Sequence, residues 1–302
     1  MDIALTNVHL DLGAGRRGTD MGPSALHVAG LVPALRKLGH TVESVNSIGS
    51  PSFETRVPGD PSMRFLPEVT AVVEALADCT EAAVGAGRFP LVLGGDHSIA
   101  IGTITGMVRA MRRKGQRLGV VWVDAHTDMN TPETSPSGNI HGMPVACLLG
   151  DGPASLTTKL LAGEPALRPE DVILVGIRDV DRREAETVRR KGVRAYTMSE
   201  LDSRGTAVCL REAFAGLVER TDGIHLSFDL DGVDPAEAPG VGTPVPGGLS
   251  LRESHLLCEM AAQTGCLMGM EMVELNPTRD ICNKTGELAR WLIESALGRS
   301  IL

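Results

Sequence analysis

The chain has 302 residues, of which 42% are hydrophobic but only 3% are aromatic, so aliphatic residues and methionine must fill its core. This length is common for one large α/β domain. The formal net charge of −9 excludes a generally basic surface of the kind that binds nucleic acids or anionic membranes. We therefore expect no nucleic acid and no membrane among its partners.

Short apolar runs alternate with amphipathic stretches along the chain. Runs such as 118–123 and 172–175 are continuously apolar, which is typical of strands covered on both faces of a parallel sheet. We therefore predict an α/β fold, a single three-layer α/β/α domain spanning residues 1–302 with a mostly parallel sheet of about eight strands. The predicted strands are 3–9, 41–46, 90–94, 118–124, 171–177, 193–197, 223–229 and 266–273. The predicted helices are 23–38, 65–87, 98–114, 181–191, 205–221, 250–264 and 284–298.

Polar loops are predicted at 46–64, 129–144 and 232–249, and ordered loops of this length are usually functional. A basic cluster lies at helical spacing before Gly115 and is interpreted as a solvated helix end. Its members are Arg109, Arg112, Arg113, Lys114 and Arg117.

The N-terminal residues carry no basic stretch followed by a cleavable apolar segment, and no apolar run approaches the roughly 20 residues needed to cross a bilayer. The six cysteines include no Cys-x-x-Cys pair and are scattered through apolar stretches. Buried free thiols are therefore expected rather than disulfides. Both features predict a cytoplasmic protein.

Residues 13–18 spell Gly-x-Gly-x-x-Gly after the first strand, as in dinucleotide-binding folds. That motif requires a helix to begin within it, so that the helix N-terminus faces the pyrophosphate. Here the next helix is predicted to begin only near Pro23, and no acidic residue closes the second strand. We therefore reject nucleotide binding and expect no response to NAD.

Three apolar strands run directly into residues of the types that bind metals. Each motif sits at the carboxyl end of its strand, where open α/β sheets bind ligands. In extended chain alternate side chains share a face, so Asp124, His126 and Asp128 are expected to project together, and so are Asp229 and Asp231, with His97 close by. The motifs are Gly94-Gly95-Asp96-His97-Ser98, Asp124-Ala125-His126-Thr127-Asp128 and Ser227-Phe228-Asp229-Leu230-Asp231.

These motifs would gather four carboxylates and two imidazoles in one crevice. Alone, an Asp-x-Asp or Asp-x-His-x-Asp motif is often a loop cap or a surface pair. Three such motifs, each after a buried strand, favour two divalent cations that neutralise the carboxylates. Oxygen and imidazole ligands without thiolate suit Mn²⁺, with Co²⁺, Ni²⁺ or Fe²⁺ as substitutes. Two-metal sites hold their ions roughly 3.5–4 Å apart and convert a shared water to hydroxide near neutral pH.

With these motifs the chain resembles the arginase family of the ureohydrolase superfamily. Within that family, its pattern resembles that of the bacterial members. The resemblance runs from the segment 17–24 to Asn283-Lys284-Thr285. The loop Ser137-Gly138-Asn139-Ile140-His141-Gly142 matches one specific to arginases, whereas agmatinases usually carry other residues there.

The resemblance implies hydrolysis of L-arginine to L-ornithine and urea by a hydroxide held between two Mn²⁺ ions. Asp124 and Asp229 would bridge the ions. His97 and Asp128 would complete one metal site, and His126 and Asp231 the other.

The resemblance also assigns roles to residues around the metals. Glu274 would orient the guanidinium, with a buried structural glutamate as the alternative, and paired charge-assisted hydrogen bonds suit that role. His141 would carry a proton, with a surface histidine as the alternative, and Asp128 would accept a hydrogen bond from the nucleophile. Asn130, Ser137 and Asn139 would bind the substrate carboxylate, Asp181 and Glu184 its amino group, and Thr243 would line the pocket.

The remaining polar residues receive lesser roles. Glu271 is expected to point away from Glu274 and to act at most behind the metal ligands. His9, His27, His40, His225 and His255 are expected to be structural or surface groups.

Arg252-Glu253 matches a pair associated with subunit contacts in the family, which implies a homotrimer or homohexamer. The sequence ends at Leu302 without the tail of animal arginases, so assembly through such a tail is not expected. Two alternatives stay open at this point: another ureohydrolase, acting on agmatine or a guanidino acid, and a metal-binding protein without turnover.

Overall fold

The computed structural model describes residues 1–42 and 45–300. Within these ranges eight strands form one parallel sheet in the order β2-β1-β3-β8-β7-β4-β5-β6. This confirms the predicted α/β class and the parallel sheet. The strands are β1 (Ile3–His9), β2 (Val45–Gly49), β3 (Phe89–Leu93), β4 (Leu118–Val123), β5 (Val172–Ile177), β6 (Arg194–Thr197), β7 (Gly223–Asp229) and β8 (Leu267–Val273).

Ten α-helices connect and cover the strands in the part of the chain just defined. The predicted helix 23–38 is wrong as a single element, because Gly30 adopts φ 82° between two shorter helices and only glycine enters that region readily. The helices are α1 (Gly22–Val28), α2 (Leu31–Lys37), α3 (Leu66–Gly85), α4 (Ala100–Arg112), α5 (Pro144–Leu148), α6 (Arg182–Lys191), α7 (Met198–Arg204), α8 (Thr206–Arg220), α9 (Leu251–Gln263) and α10 (Lys284–Ala296).

Both faces of the sheet are packed against helices, which explains the continuously apolar strands. Leu91 and Leu93 of β3 share a core with residues of α1, α2 and α10. Val92, between them, points to the opposite face and joins a core with residues of α3. Because each face needs apolar side chains, no polar alternation remains, and the polar residues collect at the strand ends.

Three features differ from the sequence-based expectations. The strand predicted at 41–46 begins at Val45, and the part at residues 43–44 lies outside the described residues. Strand β2 therefore occupies the start of the predicted loop 46–64. The helices α5 and α7 were not predicted, because each is only one or two turns long and carries too little periodicity to detect.

The basic cluster lies at the end of α4, as predicted, and Arg112, Arg113 and Lys114 are exposed, but three of its arginines also bind distant parts of the chain. Arg109 donates two hydrogen bonds to the Leu160 carbonyl, and Arg112 donates to the carbonyls of Pro165 and Ala166. Arg117 pairs with the buried carboxylate of Asp171 at 2.7 Å. Arg109 and Arg112 fasten the irregular segment 153–168 to the end of α4, and Arg117 binds just before β5. The sequence did not indicate these partners because they are distant along the chain.

The cysteines are unpaired, as predicted, but they are not all buried: Cys282 is exposed, whereas Cys147, Cys209 and Cys258 lie in the core. None of the helices in the described ranges is both long and apolar enough to pass through a lipid bilayer.

The contact between α3 and α4 depends on a glycine. A Cβ atom added at Gly106 would lie 2.3 Å from the carbonyl oxygen of Ala77, so the two helices would have to separate. We expect Gly106→Ala to lower the free energy of unfolding by about 1–3 kcal/mol, measured by chemical denaturation followed by circular dichroism. The control is Gly85→Ala in α3, where a Cβ meets open space. Equal denaturation midpoints for the two variants would contradict this account of the packing.

Candidate active site

The strand order brings the metal-binding motifs together. Four central strands, β3, β8, β7 and β4, are consecutive neighbours in the sheet. His97 follows β3, Glu274 follows β8, Asp229 ends β7, and Asp124 follows β4. Because the strands are parallel, their carboxyl ends share one edge, and residues up to 177 positions apart in sequence become neighbours.

The motif after β4 does not project from an extended strand, which corrects the expectation of a shared strand face. β4 ends at Val123, and the chain then bends so that the Asp124 carboxylate accepts the backbone N–H of His126 at 2.6 Å. Asp128 adopts φ 50°, a left-handed conformation that is uncommon for aspartate. The turn, rather than strand pleating, directs these side chains toward one another.

A first cluster surrounds His97. Its Nδ1 atom lies 3.1 Å from Asp124 Oδ2, 3.3 Å from Asp128 Oδ2 and 3.2 Å from Asp229 Oδ2. All four side chains are buried. The ligand atoms of His97, Asp124 and Asp229 lie close enough together to hold one cation, whereas Asp128 is outside that group and contacts it at His97.

A second cluster surrounds His126 and shares Asp124 with the first. His126 Nδ1 lies 3.2 Å from Asp124 Oδ1 and 3.2 Å from Asp231 Oδ2. Asp124 thus presents one oxygen to each cluster, which is the arrangement of a bridging carboxylate. The second oxygen of Asp229 accepts the backbone N–H of Asp231 at 2.7 Å, so only one Asp229 oxygen is directed at the clusters.

The electrostatics of the clusters favour bound cations. Burial, reinforced by neighbouring carboxylates, raises the pKa of Asp229 and Asp231, and it raises the pKa of Asp128 to about 7. Burial also opposes ionisation of Asp124, but hydrogen bonds with His126 and His97 outweigh it and hold that pKa below its usual range. A buried set of four carboxylates and two imidazoles without a thiolate fits divalent cations that prefer oxygen and nitrogen ligands, such as Mn²⁺.

Two residues to which the sequence analysis gave no role contact the candidate metal ligands. Trp122 stacks on the His97 ring with centroids 3.9 Å apart, and its indole N–H donates to Asp124 Oδ2 at 3.0 Å. Ser227 Oγ lies 2.8 Å from His97 Nε2. Trp122 stands two positions before Asp124, and Ser227 stands two positions before Asp229. Because alternate residues of a strand share a face, this spacing was the signal in the sequence that could have identified them.

Glu274 and His141 form a hydrogen-bonded pair beside the clusters. Glu274 has φ 63°, and its Oε1 atom accepts the His97 backbone N–H at 3.0 Å and lies 3.0 Å from His141 Nδ1. Burial opposes protonation of His141, but the hydrogen bond and charge of Glu274 outweigh it and raise the pKa to about 9. Glu274 Oε2 is buried and has no hydrogen-bond partner among the described residues.

A cavity of about 150 Å³ opens onto the second cluster. In the wall of this cavity, Thr243 donates a hydrogen bond to Asp231 Oδ2 at 2.8 Å. Asn130 Nδ2 lies 3.5 Å from Asp181 Oδ2. The lining residues are His126, Asp128, Asn130, His141, Gly142, Asp179, Asp181, Glu184, Asp229, Asp231 and Thr243.

Some of the predicted substrate-binding residues line this cavity, and others do not. Asp181 and Glu184 form a capping box at the start of α6, and Glu184 Oε1 also accepts from Thr127 and from the Met129 backbone. Ser137 and Asn139 do not line the cavity in this structure. Asn139 Nδ2 donates to the Ala14 carbonyl, while its Oδ1 is buried without a partner in the described chain.

The segment that resembles a dinucleotide fingerprint supports the site. The backbone N–H groups of Gly13 and Ala14 donate to Asp96 Oδ2 at 2.8 and 3.2 Å, so these amides are already occupied. The Gly13 carbonyl in turn accepts the backbone N–H of His141. Asp96 therefore fixes the segment on which the loop 137–142 rests.

Glu271 lies behind the site, as its spacing predicted. Its carboxylate is fully buried 3.3 Å from His225 Nε2 on the neighbouring strand β7. Burial opposes ionisation of Glu271, but His225 outweighs it and lowers the pKa of the carboxyl group. His225 is thus a structural histidine, paired in the centre of the sheet.

The chain is similar to known proteins over its full length. The sequence pattern of the arginase family matches residues 1–298. Arginase from Bacillus caldovelox is 48% identical over 301 residues, which cover 99% of each chain. The crystal structure of arginase from Bacillus subtilis matches with a TM-score of 0.93 and 46% identity over 100% of both chains. Entamoeba histolytica arginase, solved in complex with L-ornithine, matches with a TM-score of 0.88 and 36% identity over 99% of this chain and 98% of that one. The chain therefore belongs to the arginase family.

Proposed function

We propose that this protein hydrolyses L-arginine to L-ornithine and urea with two Mn²⁺ ions per subunit. The observation that carries the proposal is Glu274, whose Oε1 is fixed by His97 and His141 while its buried Oε2 has no partner among the described residues. A buried carboxylate oxygen beside a metal-binding cluster requires a donor, and a guanidinium supplies one. Relatives named arginase share 46–48% identity over the full length.

The proposed metal ligands follow the two clusters. His97 and Asp128 would serve one ion, His126 and Asp231 the other, and Asp124 both, because its two oxygens face different histidines. Asp229 would help to hold the ions through Oδ2, since its Oδ1 accepts the Asp231 backbone N–H. Two cations bound there would lower the pKa of water toward neutrality and so supply hydroxide as the nucleophile.

Glu274 would bind and orient the guanidinium. Its Oε2 lies beside Gly242, where an added Cβ would approach to 3.0 Å, and Gly242 adjoins the cavity residue Thr243. A planar guanidinium can donate to this oxygen in a charge-assisted hydrogen bond, which turns its carbon toward the clusters. The Asp128 carboxylate, which lines the cavity, would accept a hydrogen bond from the nucleophile.

His141 would deliver the proton that the leaving amine requires. With a pKa raised to about 9, the ring is protonated at neutral pH. Its Nδ1 is held by Glu274, so Nε2 would carry the transferable proton. The proton would pass to the δ-nitrogen of the departing ornithine, and Glu274 would keep the ring in place.

The amino-acid end of the substrate would lie in the cavity. Asn130 would bind the carboxylate, and Asp181 and Glu184 the α-amino group, since all three line the cavity wall next to Thr243. Ser137 and Asn139 would join Asn130 through movement of their loop. Asn139 Oδ1 is an acceptor rather than a donor, so the Asn139 amide would have to release the Ala14 carbonyl to reach a carboxylate.

We also propose that residues 1–302 act as one domain in a homotrimer or homohexamer. Arg252 has a side chain that is 67% exposed, which leaves it accessible to a second subunit. Glu253 is bound within its own chain by Ser250 and Thr206, so the interface role proposed for it would add to a capping role.

The first prediction is urea release. Protein loaded with Mn²⁺ and incubated with L-arginine is expected to produce urea, measured colorimetrically, together with an equal amount of ornithine. The control is the double variant His97→Ala, Asp124→Ala, which removes ligands from both clusters. Urea production no higher than in this control would reject the proposed activity.

A second prediction separates arginine from agmatine, which lacks the carboxylate. Asn130→Ala is expected to lower kcat/KM for arginine roughly 10–100-fold, the effect of losing a hydrogen bond to a charged group, with little change for agmatine. The control is Asn46→Ala on the edge strand β2. A wild-type preference for agmatine, with both substrates insensitive to Asn130→Ala, would favour an agmatinase instead.

A third prediction concerns the shared ligand. Asp124→Ala is expected to abolish binding of both ions, whereas Asp231→Ala should lose one and keep the ion beside His97. Equilibrium dialysis against Mn²⁺ with elemental quantification measures this directly, and Asp202→Ala on exposed α7 is the control. Two ions bound by folded Asp124→Ala protein would refute the shared-carboxylate arrangement.

A further inference from the structure

Arg178 is a half-buried arginine whose side chain contacts only backbone carbonyls. It directly follows β5, and each of its three guanidinium nitrogens donates. Nε and Nη2 both bind the Val245 carbonyl, at 3.2 and 2.6 Å, and Nη2 binds the Asp231 carbonyl at 2.6 Å. Further contacts, of 3.2–3.4 Å, reach the carbonyls of Gly176, Gly232 and Val233. Among the described residues no carboxylate oxygen forms an ion pair with it.

The positions of these carbonyls show which part of the chain the Arg178 guanidinium binds. All except that of Gly176 belong to residues 231–245, the loop that carries Asp231 and Thr243. The Arg178 backbone N–H donates to the Ala125 carbonyl at 2.8 Å, and the Ala125 N–H donates to Asp231 Oδ1 at 3.1 Å. Arg178, Ala125 and Asp231 therefore form a closed ring of hydrogen bonds across β5, β4 and β7.

This ring holds one Asp231 oxygen, so that the other, which also accepts a hydrogen bond from Thr243, faces the second cluster. With Oδ1 held by Ala125, the Oδ2 atom lies 3.2 Å from His126 Nδ1. Arg178 thus holds, through hydrogen bonds, the main chain that carries the Asp231 carboxylate. In the first cluster, by contrast, Trp122 holds Asp124 and Ser227 contacts His97, while Asp229 accepts the Asp231 backbone N–H.

The charge of Arg178 also matters at this position. Burial lowers its pKa, while Asp231 and Asp124 oppose that shift, and an arginine stays cationic at neutral pH. A cation lies near the acidic clusters without occupying a ligand oxygen. A lysine would keep the charge, but its single nitrogen offers three donors from one point and cannot span carbonyls at both ends of the loop.

We propose that Arg178 is a positioning residue that fixes Asp231 toward His126 and so supports one of the two proposed ions selectively. This inference rests on the proposed two-metal function. Residues that orient metal ligands from outside the coordination shell typically change metal affinity by about 10–100-fold. The selectivity distinguishes this role from general support of the fold, which would weaken both sites together.

The test compares Arg178→Lys and Arg178→Met with the wild type by equilibrium dialysis of metal-free protein against Mn²⁺, with elemental quantification. Wild type is expected to bind two ions. Both variants should bind the first ion with unchanged affinity and the second about 10–100-fold more weakly. The control is Arg182→Lys, whose side chain is 94% exposed in α6. Circular dichroism melting of the metal-free proteins identifies any variant that has not folded.

Each outcome decides the matter. Wild-type affinity for both ions in Arg178→Lys would overturn the proposal, because charge alone would then suffice. Equal weakening of both ions would also overturn it, since Arg178 would then support only the fold. If Arg178→Met does not fold, Arg178→Lys decides alone. Failure of the wild type to bind two ions would instead reject the proposed two-metal function, and the inference with it.

Discussion

The whole site is organised around one carboxylate that faces two histidines. Asp124 directs Oδ2 toward His97 and Oδ1 toward His126, at 3.1 and 3.2 Å. A buried carboxylate in that position must be held on both oxygens, and it is, by the Trp122 indole and by the His126 backbone N–H. The surrounding acids raise the electrostatic cost of the arrangement, which bound cations would remove. The fold must therefore hold these acids together without neutralising them with its own cations.

The parallel sheet meets this requirement by placing apolar residues in its packed faces and the charged residues of the clusters at its carboxyl edge. Its strands are packed on both faces and contribute stability, while the polar residues lie just beyond the carboxyl ends. Loops at that edge are then held by backbone hydrogen bonds rather than by ion pairs. Asp96 binds the amides of residues 13–14, and Arg178 binds the carbonyls of residues 231–245. Neither residue uses a carboxylate oxygen that belongs to the clusters.

The sequence predicted most of the strands and the acidic and histidine residues that cluster after them, because continuous apolar runs and the residues that follow them are local features. It could not predict that β8 lies between β3 and β7, since strand order depends on crossovers that no local pattern encodes. The expected strand face for Asp124 and Asp128 was wrong because a turn with φ 50° at Asp128 replaces the strand. Arg178 was overlooked for a similar reason: apart from Gly176, its partners are main-chain carbonyls 53 to 67 residues away, which any sequence would supply.

The glycine-rich segment 13–18 shows why residue type alone is ambiguous. A Cβ at Gly13 would lie 2.6 Å from Asp96 Oδ1, and one at Gly15, where φ is 63°, would lie 2.8 Å from Asn139 Oδ1. Glycine is required here, as in a phosphate-binding loop, because polar atoms approach the backbone closely. The approaching atoms belong to the protein's own Asp96 and Asn139, so the same spacing produces a support for the loop 137–142 instead of a nucleotide site. Backbone amides that are bound by a carboxylate cannot also bind a pyrophosphate, and this competition, rather than the motif, decides the function of the segment.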